Sequence, residues 1–172
     1  MPADRFVTDA SLELLARRLR FLGFDVATHR GARLEELCEV ARRDGRTVLT
    51  LSARHPRRFA NVRVLRVPAG DTAAALREVA RTHEPSGAPF SRCGACNTPL
   101  QRRLAFEAGS DVPPRARRQA EHLHYCPGCG RWYWAGTHVA RIREWLTAAL
   151  GRDPFAAPGR DPIAAPDEPG PS

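Results

Sequence analysis

Four cysteines carry the clearest chemistry in this chain of 172 residues: Cys93-Gly-Ala-Cys96 and Cys126-Pro-Gly-Cys129. A gap of two residues lets one tight turn present both sulfurs to a single ion, and thiolates are the soft ligands that tetrahedral zinc prefers. Gly94, Gly128 and Gly130 read as residues that allow these turns a positive φ. Disulfides are disfavoured, because the charged segment Met1 to Asp9 lacks the apolar stretch of a secretion signal. A redox C-x-x-C pair would leave the second copy unexplained. With all four positions filled by protein, the expected zinc is structural and not catalytic. Cys38 lies on an apolar helical stripe and reads as an ordinary core residue.

A second group of residues suits an anionic partner. The chain has 27 basic side chains against 19 acidic ones, a formal charge of +8, and every basic residue is arginine. Clusters occur at Arg17, Arg18 and Arg20, at Arg57 and Arg58, and at Arg115, Arg117 and Arg118. Each is a candidate phosphate contact or simply a solvated face. Trp132-Tyr133-Trp134 could stack on bases or form the core of a small module. His138 reads as a packing group or a hydrogen-bond partner of the metal site, since four thiols already suffice as ligands. No apolar run approaches the roughly 20 residues of a membrane helix, and the expectation is a cytoplasmic protein with no membrane partner.

The elements that must position these groups alternate between strand and helix over residues 1–89. Arg5 to Thr8 reads as a strand ending at Asp9, followed by a helix from Ser11 to Leu22 with Leu12, Leu15, Ala16, Leu19 and Leu22 on one face. Gly23 stops it. A weak strand follows at Val26 to His29, then a helix with Leu34, Leu37, Cys38 and Ala41 on its stripe, closed by Asp44-Gly45. Thr47 to Leu51 and Val62 to Val67 read as strands, and Asp71 can cap a third helix running to about Thr82. This alternation predicts an α/β fold with a small parallel sheet covered by helices. Ligands bind such sheets at the carboxyl ends of the strands, which points to Asp9 and to Thr50-Leu51-Ser52. Residues 90–150 form the zinc ribbon with a C-terminal helix. Residues 151–172 repeat the octapeptide Gly-Arg-Asp-Pro-(Phe/Ile)-Ala-Ala-Pro and read as a disordered, proline-rich tail with too few apolar side chains to fold.

In order along the chain, several stretches make a recognisable pattern. They are Phe6-Val-Thr-Asp9, Leu15-Ala-Arg-Arg-Leu-Arg20, Leu22-Gly-Phe-Asp25, Glu36-Leu-Cys-Glu-Val-Ala41 and Gly45-Arg-Thr-Val-Leu-Thr50. The ribbon adds Ser91-Arg-Cys-Gly-Ala-Cys-Asn97, Pro99-Leu100, Val112-Pro-Pro-Arg115, Tyr125-Cys-Pro-Gly-Cys-Gly-Arg131, Tyr133-Trp134 and Gly136-Thr-His138. Together they resemble the Mut-seven C-terminal ribonuclease family, a PIN-like nuclease domain followed by a zinc ribbon, over roughly residues 5–147.

The resemblance implies RNA cleavage by clustered carboxylates holding magnesium or manganese, hard cations that take oxygen ligands. It assigns the first acid to Asp9 and the second to Glu36, with adjacent Glu35 as the alternative register. Without it, Asp9 reads equally as a helix cap, and Glu35, Glu36 and Glu39 as a solvated helix face. The chain departs from the family at one point. Thr50-Leu51-Ser52 stands where the pattern has Thr-Arg-Asp, and no acid occurs between Asp44 and Asp71. Two functions follow as expectations: a metal-dependent ribonuclease acting on single-stranded RNA, with activity reduced at Ser52, or a non-catalytic RNA-binding protein on the same fold. Arg17, Arg18, Arg20 and Arg115 are the expected RNA contacts.

Overall fold

A computed structural model of the chain describes residues 4–31 and 33–156. Four short strands form one sheet: β1 (Arg5–Asp9), β2 (Asp25–His29), β3 (Thr47–Thr50) and β4 (Val64–Arg66). Their spatial order is β2-β1-β3-β4 and every pairing is parallel. Parallel neighbours need helical crossovers, which α1 (Glu13–Phe21) and α2 (Leu34–Asp44) supply between the first three strands. A third helix, α3 (Thr72–Thr82), follows β4.

Side chains alternate across the sheet, and both faces are covered. Phe6, Val26 and Leu49 face a core shared with Leu15, Ala16 and Leu19 of α1 and Leu76 and Val79 of α3. Val7 and Val48 face the opposite way, against Leu37, Cys38 and Ala41 of α2, with Phe59 and Val62. Cys38 is fully buried there, as the apolar stripe predicted. Local signals end the helices where the sequence places them. Asp71 Oδ1 accepts from the Ala74 amide at 2.9 Å, capping α3. Gly45, with φ 65°, closes α2 in the left-handed region.

The second half folds around a small antiparallel sheet, β5 (Gln101–Leu104), β6 (His122–Tyr125) and β7 (Trp132–Tyr133), in the order β5-β6-β7. A one-turn helix, α4 (Pro114–Gln119), precedes β6. Ala105, Ala108, Val112 and Leu123 make a separate apolar cluster, with Trp132 and Trp134 packed on it.

The last helix, α5 (Thr137–Leu150), buries its apolar face outside the ribbon's own cluster, although sequence position assigned it to the ribbon. Val139, Ile142, Leu146 and Ala149 join the core formed by α1, α3 and the sheet, and α5 lies against α3. That core continues past residue 150. Phe155, 6% exposed, stacks on Phe90 with ring centroids 5.4 Å apart, and Arg143 covers its ring. The first residues of the expected tail are therefore packed, because one aromatic ring fills a place beside Phe90. The rest of the tail, residues 157–172, lies outside the described residues.

Candidate active site and metal centre

The two cysteine turns come together although 29 residues separate them in sequence. One sulfur from each of Cys93, Cys96, Cys126 and Cys129 lies within 4.8 Å of all the others. Four ligands at a zinc–sulfur distance of about 2.3 Å stand roughly 3.8 Å apart at the corners of a tetrahedron, so this cluster could hold a metal such as zinc. Cys96 and Cys126 stand 3.3 Å apart and Cys93 and Cys129 3.6 Å, far beyond a disulfide bond. Burial pushes the Cys126 thiol up to about 12, reinforced by Cys96. Burial also opposes ionisation of Cys96, but hydrogen bonds led by the Thr98 hydroxyl bring it down to about 6. Four crowded sulfurs cannot all carry charge until a dication compensates them.

Polar neighbours steady the sulfurs. The Tyr133 hydroxyl lies 3.0 Å from Cys93 Sγ and the Thr98 hydroxyl 3.3 Å from Cys96 Sγ. His138 is exposed, so the packing role expected of it is not seen. The glycines act differently from expectation. Only Gly130 takes a positive φ, 74°. Gly94 and Gly128 are needed for close approach, since a side chain at Gly94 would collide with the Phe21 ring and one at Gly128 with Thr98. The left-handed position of the first turn falls instead to Asn97, φ 69°.

A second constellation forms at the carboxyl ends of β1 and β3. Asp9, Glu35, Thr50, Ser52, Arg54 and His55 line one cleft of about 710 Å³. Asp9 Oδ1 accepts from the Ser11 amide at 2.8 Å, so one carboxylate oxygen caps the short turn Ala10–Leu12, as the local reading expected. Ser52 is held by local bonds: its amide donates to Thr50 Oγ1 at 3.1 Å, and its hydroxyl accepts from the Arg54 amide at 3.1 Å. The third strand thus delivers position 52 to the cleft that contains Asp9.

Glu36 does not line this cleft. Its carboxylate lies 3.8 Å from His29 Nε2, over Gly31, and borders a neighbouring groove with Arg33, Glu39 and Arg57, a groove that Glu35 also lines. Successive helical residues are about 100° apart around the axis, so a register that aims Glu35 at the cleft turns Glu36 toward β2. Of the two acids, Glu35 is the one that lines the same cleft as Asp9.

The model of the Mut7-C RNAse domain family matches residues 4–146, which covers the sheet, the ribbon and most of α5. The chain belongs to the Mut7-C RNAse domain family. No curated protein and no solved structure matches it significantly. Among the described residues of this Mut7-C domain, no helix is long and apolar enough to cross a membrane.

The four arginines expected to contact RNA have different fates in the Mut7-C domain. Arg17 and Arg115 are exposed. Arg18 lies over the Trp145 ring, 4.6 Å from its centroid. Arg20 is buried, 1% exposed, and cannot reach a solvent phosphate. Its Nε donates to the Val26 carbonyl at 2.8 Å, and Nη1 donates to Glu13 and to the Gly94 carbonyl, each at 2.9 Å. Nη2 donates to Thr28 Oγ1 at 2.6 Å. One guanidinium therefore bridges α1, β2 and the first cysteine turn.

Sequence reasoning also passed over Asp25, which joins the same two halves. Arg46 donates to its Oδ1 at 2.6 Å and the Asn97 side chain at 2.7 Å, with Arg92 3.5 Å from Oδ2. Burial alone would raise its pKa, but the hydrogen bonds from Arg46 and Asn97 and the charges of Arg46 and Arg92 outweigh it and hold the carboxyl below its usual value. The only sequence signal was the placement of an acid at the start of a buried strand, which conflicts with burial unless a partner is near.

Proposed function

We propose that this Mut7-C domain is a metal-dependent endoribonuclease whose active site is the cleft holding Asp9 and Glu35, with turnover limited by Ser52. The observation that supports it most is the convergence of Asp9, Glu35 and position 52 at the carboxyl ends of two adjacent parallel strands. The donor set is two carboxylates and the hydroxyls of Thr50 and Ser52, all hard oxygens, which fits magnesium or manganese. Asp9 and Glu35 would hold the cation, which when bound supplies an activated water and offsets charge on the scissile phosphate. Arg54, exposed in the wall of the cleft, is placed to meet a phosphate oxygen. Ser52 adds an uncharged ligand where a third carboxylate would bind the cation more tightly, so weak metal affinity is the expected defect.

Single-stranded RNA is the substrate this reading favours, since the family points to RNA and unpaired strands suit a surface of arginine and aromatic residues. The cysteine cluster serves as a structural zinc site. A non-catalytic RNA-binding role is supported by the same cleft, which carries Arg54 and His55 beside only two acids. Manganese-dependent cleavage of single-stranded RNA by wild type, Asp9→Asn, Glu35→Gln, Glu36→Gln and Ser52→Asp separates the two. The nuclease reading expects slow cleavage by wild type, faster cleavage by Ser52→Asp, and none by Asp9→Asn or Glu35→Gln. RNA binding without cleavage by either wild type or Ser52→Asp would select the binding role instead.

A further inference from the structure

A second cleft, of about 620 Å³, opens where the ribbon meets the helices α1 and α5. Its wall carries Trp132, Tyr133 and Trp134 from β7 and the residue after it, with Arg17 of α1, Arg131 and His138. Arg17, Arg131 and His138 are exposed, and the three rings are half-buried, so the aromatic surface is shared between packing and solvent. The one acid on the wall is Asp111.

Two of the rings have tasks in the fold. Tyr133 turns its hydroxyl to Cys93 Sγ, and Trp132 packs on Tyr125 with ring centroids 4.9 Å apart. Trp134 packs on the apolar cluster of the ribbon as Trp132 does, and its half-buried ring also lines the cleft; Gly136 lies close to it, where a Cβ would stand 2.9 Å from Trp134 Nε1. Neither Arg17 nor Arg131 makes an ion pair among the described residues, so both guanidinium charges face the cleft uncompensated by a carboxylate contact.

The geometry points to this cleft as a binding site for unpaired bases of single-stranded RNA, with Trp134 as the stacking platform and Arg17 and Arg131 on the flanking phosphates. It rests on the reading of RNA as substrate and places a second contact outside the Asp9 cleft. An aromatic face serves any base, and two cations serve a polyanionic backbone; an apolar ligand would use only the ring. The ribbon makes the platform rigid, because Tyr133, the residue before Trp134, is tied to Cys93.

The test is binding of a fluorescein-labelled oligouridine to the full chain with zinc in place and without added magnesium or manganese, so that no cleavage intervenes. Trp134→Leu should weaken binding about tenfold, the usual loss for one stacked base, with zinc content and melting temperature retained. Arg131→Ala should reduce the log–log salt slope by about 0.7, one phosphate contact on a single strand. An oligomer with abasic positions should bind wild type no better than oligouridine binds Trp134→Leu. If Trp134→Leu loses zinc, the Arg131→Ala slope and the quenching of wild-type tryptophan fluorescence by RNA decide the matter. Wild-type affinity and salt slope in both variants would overturn the inference, as would no binding by wild type. Cleavage dependent on Asp9 but indifferent to Trp134 would leave the nuclease reading standing alone. Binding dependent on Trp134 with no cleavage would do the reverse.

Discussion

Replacing Arg20 with methionine tests whether this residue joins the two halves of the chain or binds RNA. Methionine keeps the unbranched stem, so little cavity forms and the measured loss reflects the guanidinium contacts. Glu13 is 38% exposed at its side chain and can be resolvated, and Thr28 retains its own bond to Glu13 at 2.7 Å. The uncompensated groups are the buried carbonyls of Val26 and Gly94. Each loses a hydrogen bond from a charged donor, about 1.5–3 kcal/mol apiece, which gives a destabilisation of about 3–6 kcal/mol. For a chain of this size that is a fall in melting temperature of roughly 10 °C. Urea unfolding followed by circular dichroism, with zinc content measured alongside, reads it directly. A loss below about 1 kcal/mol would refute the bridging role. Weaker RNA binding at unchanged stability would restore Arg20 to the RNA surface.

Purified protein should carry one zinc per chain, and Cys126→Ser should release it and loosen the ribbon while leaving the parallel sheet folded; metal analysis and circular dichroism check both. Asp25 has a depressed folded pKa, so its stabilisation is present above the unfolded value of about 3.9 and is lost as pH falls through the folded one. Asp25→Asn should therefore lower the urea midpoint at neutral pH and flatten the further decline below about pH 4. Phe155→Ala should cost about 3 kcal/mol by emptying the place beside Phe90, and truncation after residue 150 should cost at least as much, read by thermal melting.

Local signals were enough for the strands and helices of the first half and for the metal cluster, but not for the ribbon's strands β5, β6 and β7 or for α4. Period-3.6 leucines, the Asp71 cap and Gly45 set α1, α2 and α3 within a residue or two, because helix periodicity and capping are properties of a few neighbouring residues. The cysteine quartet was legible because ligand spacing inside each turn is also local, and the second turn could belong only with the first. Asp9 and Ser52 were legible for a related reason: strand ends in a parallel sheet converge on one edge.

What depended on tertiary structure was everything set by azimuth or by contact across the chain. Whether Glu35 or Glu36 faces Asp9 is a matter of how α2 rolls on the sheet, and one residue of register turns a carboxylate away. Arg17 and Arg20 look alike in sequence, yet one is exposed and the other buried, because only Arg20 meets the carbonyls of Val26 and Gly94. The same logic put α5 and Phe155 into the N-terminal core, against Phe90 and α3, while sequence proximity grouped them with the ribbon and tail. Residue type and spacing determine what a side chain can do; which partner it meets is decided when distant segments compete to bury the same surface.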